Sequence, residues 1–290
     1  MSKLRDALER GEFVVTGEVA PPHGTDYSAM LQSVNKLGPH CHALNVTDNQ
    51  GATLHLSSLA ASRAVLDAGF EPIFQQTCRD RNRLALQSDL LAAWTLGLEN
   101  VLIVTGDDPR AGDHSQAKGV FDLDSTQLLA VAKGINEGID MTGAALAGGT
   151  DFYLGGAMFP EAEPWEIQFE RALQKAEAGA RFFQTQAVTD VEKFARAAAA
   201  FEPYGVKLIA GVLLFKSGRV IDFINSKLAG LMVPEHIESR IKESADPLAE
   251  SIALATEQVR ELREIAHGVH IMPLGADDAV ARILAGAGLA

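Results

Sequence analysis

The chain has 290 residues, 47% of them hydrophobic and 22% charged, a balance that supports a folded core without metal or disulfide staples and argues against disorder. Its formal charge of −13, with no dense Lys/Arg stripe to reverse the field locally, argues against a nucleic-acid partner. The two cysteines, Cys41 and Cys78, have no CxxC or metal-type spacing, and there is no apolar leader and no uninterrupted apolar run of about 18 residues. The expectation is a cytoplasmic protein in a reducing compartment, with no membrane partner.

Strand-like and helix-like segments alternate along the chain. A strand from Phe13 to Val19 precedes a helix from Tyr27 to Leu37, then a strand from Ala43 to Thr47 and a helix from Leu56 to Ala68. Next come a strand from Pro72 to Gln76, a helix from Asn82 to Leu96, a strand from Val101 to Thr105 and a helix from Ser125 to Ile135. The pattern continues with a strand from Phe152 to Gly156, a helix from Trp165 to Ala178, a strand from Arg181 to Gln186 and a helix from Asp190 to Phe201. A strand from Lys207 to Val212, a helix from Pro247 to Ile265, a strand from Val269 to Pro273 and a short closing helix within Ala276 to Ala290 complete it. The strands are short, rich in β-branched or aromatic residues and bounded by turn formers, as expected of strands covered on both faces. The pairs Leu37-Gly38, Ala68-Gly69 and Ala178-Gly179 read as helix stops with a left-handed glycine at C′.

Eight such alternations favour one parallel (β/α)₈ barrel spanning residues 1–290 as a single domain, a fold that typically needs about 250 residues; a doubly wound open sheet would give a similar local pattern. The connection from Gly106 to Asp124, rich in Gly, Asp, Pro and His, is longer than a usual βα loop, and long βα loops carry function in barrels.

Polar residues fall where the strands end. Glu18 stands in Gly17-Glu18-Val19-Ala20-Pro21-Pro22 and should point into the mouth, where loss of solvent favours a proton-donating acid; a rim ion pair is the plainer alternative. Thr105-Gly106-Asp107-Asp108-Pro109 follows the fourth strand, with a glycine that permits close backbone approach and an acid, Asp107, expected beside Glu18; as a bare pattern it is also a common turn. Asn45, Thr47, Asp48 and Asn49 end the second strand, and Gln184, Thr185 and Gln186 the sixth. The neutral amides and hydroxyls among them suit a heterocycle with mixed donors and acceptors, though each singly reads as a turn or strand-end residue. His40, His42, His267 and His270 give no three-ligand spacing, so they read as structural and no metal is expected. No P-loop or well-placed GxGxxG occurs, which disfavours a Rossmann dinucleotide site.

These positions in their order resemble the methylenetetrahydrofolate reductase family, along almost the whole chain. The carrying segments are Gly17 to Pro22, Val46-Thr47, Thr105 to Pro109, and Ala178 to Gln186. The resemblance is to the short bacterial form, a catalytic barrel without the regulatory domain of animal relatives. It implies an FAD-dependent oxidoreductase that reduces 5,10-methylenetetrahydrofolate to 5-methyltetrahydrofolate with NADH or NADPH by ping-pong kinetics. By resemblance, Glu18 matches the general acid for opening of the folate ring, Asp107 a carboxylate near flavin and pterin, Gln186 the amide that holds the pterin, and Thr47 a hydroxyl near the flavin. Lys175 matches a cation that pairs with the cofactor's pyrophosphate; of the basic cluster in some relatives it alone aligns cleanly, with Gln174 beside it and Arg171, a further cofactor-binding candidate, one turn earlier, and Gln75, Thr105 and Gly106 fall at cofactor-contacting positions.

There are departures. A histidine common in the third strand is replaced by Gln75 in Phe74-Gln75-Gln76-Thr77-Cys78, the aromatic that commonly follows the sixth-strand glutamine is Ala187, and the fifth-strand loop reads Gly155-Gly156-Ala157-Met158-Phe159-Pro160. Two rival readings follow: a folate-binding barrel without redox chemistry, such as a methyl-transfer protein or a partner subunit, and a flavin-independent reductase. The branch is similar to forms in acetogens, some of which work with a separate partner subunit, so that subunit or a homo-oligomer stands among the expected partners.

Overall fold

A computed structural model describes residues 2–227 and 232–289. The Ser2 side chain accepts a hydrogen bond from the Arg5 amide and so caps helix α1 (Lys3–Glu9). Its Leu4, Ala7 and Leu8 form a buried stripe, the i, i+3, i+4 spacing of one helix face. That stripe packs into a cluster with Val14, Ala43, Ile73, Leu102, Tyr153, Phe182 and Ile209. These residues lie within the first three positions of seven strands, so α1 plugs the amino-terminal end of the barrel, and each fully buried leucine contributes about 1.5–3 kcal/mol. The sequence reading assigned no helix there.

The strands β1 (Val14–Val19), β2 (Ala43–Val46), β3 (Pro72–Thr77), β4 (Asn100–Val104), β5 (Tyr153–Met158), β6 (Phe182–Ala187), β7 (Lys207–Leu213) and β8 (Gly268–Met272) follow one another around a closed barrel. All eight pairings are parallel, and β8 closes on β1 with Thr16 opposite His270. The barrel is therefore the (β/α)₈ form, not the open sheet. Helices α2 (Ser28–Leu37), α3 (Ser58–Asp67), α4 (Arg83–Thr95), α5 (Ser125–Asn136), α6 (Trp165–Glu177) and α7 (Val191–Phe201) follow the first six strands. Between β7 and β8 come α8 (Gly218–Lys227), α9 (Glu235–Glu243) and α10 (Pro247–Leu262), and α11 (Asp278–Gly286) closes the described chain. Ala290, the last residue of the expected closing segment, lies outside the described residues.

Strand alternation divides the core. Val15, Val19, Leu44, Val46, Phe74, Val101, Ile103 and Phe183 pack outward against the helices, while the residues of the α1 cluster point inward. Counting two by two from the inward residues at the bottom, the upper inward positions are Thr16 and Glu18 on β1, Asn45 on β2, Gln75 on β3, Gln184 on β6 and His270 on β8. The barrel is thus apolar at its amino-terminal end and polar at its carboxyl-terminal mouth.

Three expectations change. Gly69 (φ +90°) and Gly179 (φ +123°) are left-handed at helix ends, but Gly38 is not: its φ is −52° and it enters a 3-10 turn, Gly38–His40. A Cβ at Gly38 would lie 2.2 Å from the Phe70 ring, so close packing, not backbone handedness, requires glycine there. Gly155 to Met158 belong to β5 rather than to a loop, and a Cβ at inward-facing Gly155 would meet the Phe182 ring at 2.2 Å. Finally, α8 and α9 were unassigned. Ile221, Ile224, Val233, Ile237 and Ile241 cluster with Ala187, Leu213 and Phe215, and Phe159 and Met272 pack against them, so this pair packs against the carboxyl-terminal ends of β5 to β8.

Candidate functional site

The mouth is built around Glu18. Its side chain is 14% exposed, with Oε2 3.7 Å from His270 Nε2. Below it, His270 Nδ1 lies 3.0 Å from Thr16 Oγ1, and Gln184 Nε2 donates to that hydroxyl at 3.4 Å. Thr16, Gln184 and His270 are buried. A connected polar column from β6, β1 and β8 therefore crosses the barrel and ends at a carboxyl group. When Thr16 donates to Nδ1, the imidazole carries its proton on Nε2, facing Glu18. His270 was read from the sequence as structural. Its face is set by the closure of β8 on β1, which local spacing does not encode.

A second arm holds Asp107. After β2, Asn49 (φ 46°) and Gly51 (φ 64°) turn the chain through a 3-10 segment, Gln50–Ala52. Gln50 Nε2 donates to Glu18 Oε1 at 3.4 Å, and the next residue, Gly51, donates its amide to Asp107 Oδ2 at 3.1 Å. Two consecutive residues of one turn thus hold the two carboxylates, on β1 and after β4, beside each other. Gly106 has φ +92°, and a Cβ there would stand 3.0 Å from Arg79 Cβ and 3.2 Å from Thr77 Cβ. The glycine lets the end of β4 press onto the end of β3 and fixes where Asp107 emerges.

The remaining candidates fall as follows. Thr47 is buried just past β2. The neighbouring Asp48 amide donates to Gln75 Oε1 at 2.9 Å, and Asp48 Oδ2 accepts from the Thr77 amide, the Thr77 hydroxyl and Arg81. Thr105 is exposed and donates to Ser125 Oγ at 3.1 Å, tying β4 to the start of α5, where Asp124 and Gln127 form a capping box. Gln186 is exposed on β6, two residues beyond Gln184 and across a register shift between Gln184 and Ala187. Glu18, Asp107, Gln186, Thr47, Gln75, Thr105 and Gly106 all lie at the carboxyl-terminal end of the strands. Arg171 is exposed on α6. Lys175 turns inward, its Nζ donating to the Ala157 carbonyl at 2.8 Å. Burial, chiefly, lowers its pKa from the ordinary lysine value, reinforced by the nearby Arg171 charge and opposed by Asp124.

A cavity of about 420 Å³ opens beside Thr105 and Gly106, walled by Asp108, Pro109, Arg110, Ala117, Gly119 and Phe121. The long loop that forms it is fastened at several points. Leu54 donates to Asp113, Val120 donates to the Arg79 carbonyl, and Arg83 pairs with Asp122. Among the described residues no group of three His, Cys, Asp or Glu could hold a metal ion, and no helix is long and apolar enough to cross a membrane. Burial raises both cysteine thiols, Cys41 and Cys78, to about 12, which makes them poor nucleophiles.

Residues 3–288 match the methylenetetrahydrofolate reductase family. Methylenetetrahydrofolate reductase 2 of Saccharomyces cerevisiae is 24% identical over 243 residues, covering 79% of this chain and 38% of the yeast protein; the chain spans well under half the length of that relative. Among solved structures, a Clostridium thermocellum protein described as binding two copies of 5-methyl-5,6,7,8-tetrahydrofolic acid superposes with a TM-score of 0.66 at 14% identity, covering 97% of both chains. Tryptophan synthase from M. tuberculosis gives 0.57 at 12% identity over all of both chains. At such identities the structural likenesses speak for the barrel alone, whereas the match over residues 3–288 speaks for the lineage: the chain belongs to the methylenetetrahydrofolate reductase family.

Proposed function

We propose that the protein reduces 5,10-methylenetetrahydrofolate to 5-methyltetrahydrofolate, with electrons from NADH or NADPH, and that Glu18 is the proton donor. The observation that carries this reading is the pairing of Glu18 and Asp107 by Gln50 and Gly51 above the Thr16–His270–Gln184 column. One acid sits in a water-poor mouth with a proton-bearing chain beneath it, and a second carboxylate stands on the rim, free to accept from a heterocycle's N–H groups. The methyltetrahydrofolate described in the Clostridium thermocellum barrel supports a folate as the ligand.

The residues present fit FAD. The cavity of about 420 Å³ beside Thr105 and Gly106 has room for the edge of a planar ring. Thr47, Gln75, Thr105, Gly106 and Asp107 would hold the ring, and Arg171 and Lys175 would face the phosphates. When bound, FAD supplies hydride transfer between nicotinamide and folate. The chain's own part is to orient the folate against Asp107 and Gln186, to keep the largely buried Glu18 side chain from water, and to deliver a proton from the Glu18 carboxyl. Such positioned acids typically contribute about 10²–10⁴-fold. The inward turn of Lys175 onto the Ala157 carbonyl favours a second reading, a reductase that binds flavin weakly or works without it.

The deciding experiment follows the absorbance of purified protein. A yellow flavin spectrum bleached by reduced nicotinamide and restored by methylenetetrahydrofolate is expected. Oxidation of nicotinamide by the folate in colourless protein would establish the flavin-independent reaction, and folate binding without turnover would reduce the protein to a folate-binding barrel.

A further inference from the structure

Arg79, just past β3, is 2% exposed. Its Nε and Nη2 grip Asp80 at 2.8 and 2.7 Å, and Nη2 also donates to the Asn49 carbonyl at 3.1 Å. Its own carbonyl accepts from Val120 at 2.7 Å. One residue therefore joins the turn after β2, which holds both carboxylates, through its side chain, to the loop after β4, which carries Asp107, through its backbone carbonyl. The remaining nitrogen, Nη1, is buried with no hydrogen-bond partner among the described residues. A buried guanidinium N–H left unpaired costs about 1–3 kcal/mol, so its retention calls for a use.

Three carboxylates act on Arg79 electrostatically: Asp80, Asp48 and Asp107. Asp80 is already paired with it, and Asp48 is committed to Thr77 and Arg81. Asp107 is held by the Gly51 amide through Oδ2, and Gly106 brings its backbone against Arg79 Cβ. We propose that Arg79 is a positioning residue for Asp107: it fixes the Gln50–Gly51 turn through Asn49, and its unused Nη1 is the donor that stabilises the Asp107 carboxylate as ligand engages it. This assignment rests on the reading of Asp107 as a folate contact, and deepens it. Arg79 itself touches no reacting atom.

The test combines amide exchange with a double-mutant cycle. In Arg79→Gln, hydrogen exchange at the Gly51 amide should quicken about tenfold or more while amides within β1 and β2 keep their wild-type rates, since only the turn has lost its anchor. Binding of 5-methyltetrahydrofolate, followed by calorimetry, should weaken about tenfold in the wild-type background but less than about twofold in an Asp107→Asn background, because the two residues act as one unit. Equal loss in both backgrounds, or unchanged Gly51 exchange, would overturn the proposal. Should Arg79→Gln fail to fold, Arg79→Lys keeps the charge but not the fork, and the same two readings apply to it. If wild-type protein bound no methyltetrahydrofolate, the functional reading would fall, while the exchange measurement would still decide the anchoring of the turn.

Discussion

Glu18 lies 3.7 Å from His270 and 3.4 Å from Gln50, and the amide of Gln can occupy the same space without an acidic proton to transfer. Glu18→Gln should leave reduction of a bound flavin by nicotinamide nearly intact while lowering folate reduction by about 10²-fold or more. Stopped-flow measurement of the two half-reactions separates them, and an equal fall in both would remove Glu18 as the acid. Asp107→Asn keeps the shape and can still meet the Gly51 amide through its carbonyl oxygen, so folate turnover should fall less severely than in Glu18→Gln; an unchanged dependence on folate concentration would take Asp107 out of the site. Both residues were legible in the chain because a lone acid before two prolines and an acid after a glycine are local patterns. Thr16, His270, Gln50 and Arg79 were not legible as partners of those acids. Their partners lie from about thirty to more than two hundred residues away in sequence, and contacts of that separation leave no local trace.

Elements were read from period and punctuation, and they succeeded or failed according to whether the signal was local. Gly38 shows the failure: a glycine after a helix suggested a left-handed cap, but the residue is right-handed and its Cα hydrogen faces the Phe70 ring. Gly38→Ala should therefore destabilise by about 1–3 kcal/mol, and Phe70→Leu in the same chain should recover part of the loss, as denaturant midpoints would show. Between β7 and β8, His267 accepts the Leu208 amide on Nδ1 at 3.1 Å, a role that requires the neutral ring. Burial, and secondarily Lys207, lower its pKa below the ordinary value of 6.5. The unfolded chain then binds the more protons below that value, so stability should fall as pH drops through about 6.5 toward the lowered value. His267→Asn should flatten that slope in unfolding midpoints taken between about pH 7 and pH 5; an unaltered slope would assign the acid sensitivity elsewhere.

At the scale of the molecule, the barrel separates an apolar floor from a polar mouth. Helix α1 completes the floor with Leu4, Ala7 and Leu8, so Leu4→Ala together with Leu8→Ala should cost about 4 kcal/mol or more and lower thermal stability, while the folate dependence of the surviving folded fraction stays the same. A change in apparent folate affinity would show that floor and mouth are coupled through the strands.

The sequence by itself determined the alternation of strand and helix, and hence the layered parallel architecture, because hydrophobic period, short β-branched runs and glycine or proline stops are properties of neighbouring residues. It also placed polar residues such as Glu18, Asp107 and Gln186 at or just past the carboxyl ends of strands. Only the tertiary structure decided that the sheet closes with β8 on β1, which sets His270 beneath Glu18, and that one turn after β2 joins the acids of β1 and β4. Closure is a statement about strands more than 250 residues apart, Thr16 against His270, and no periodicity within either strand carries it.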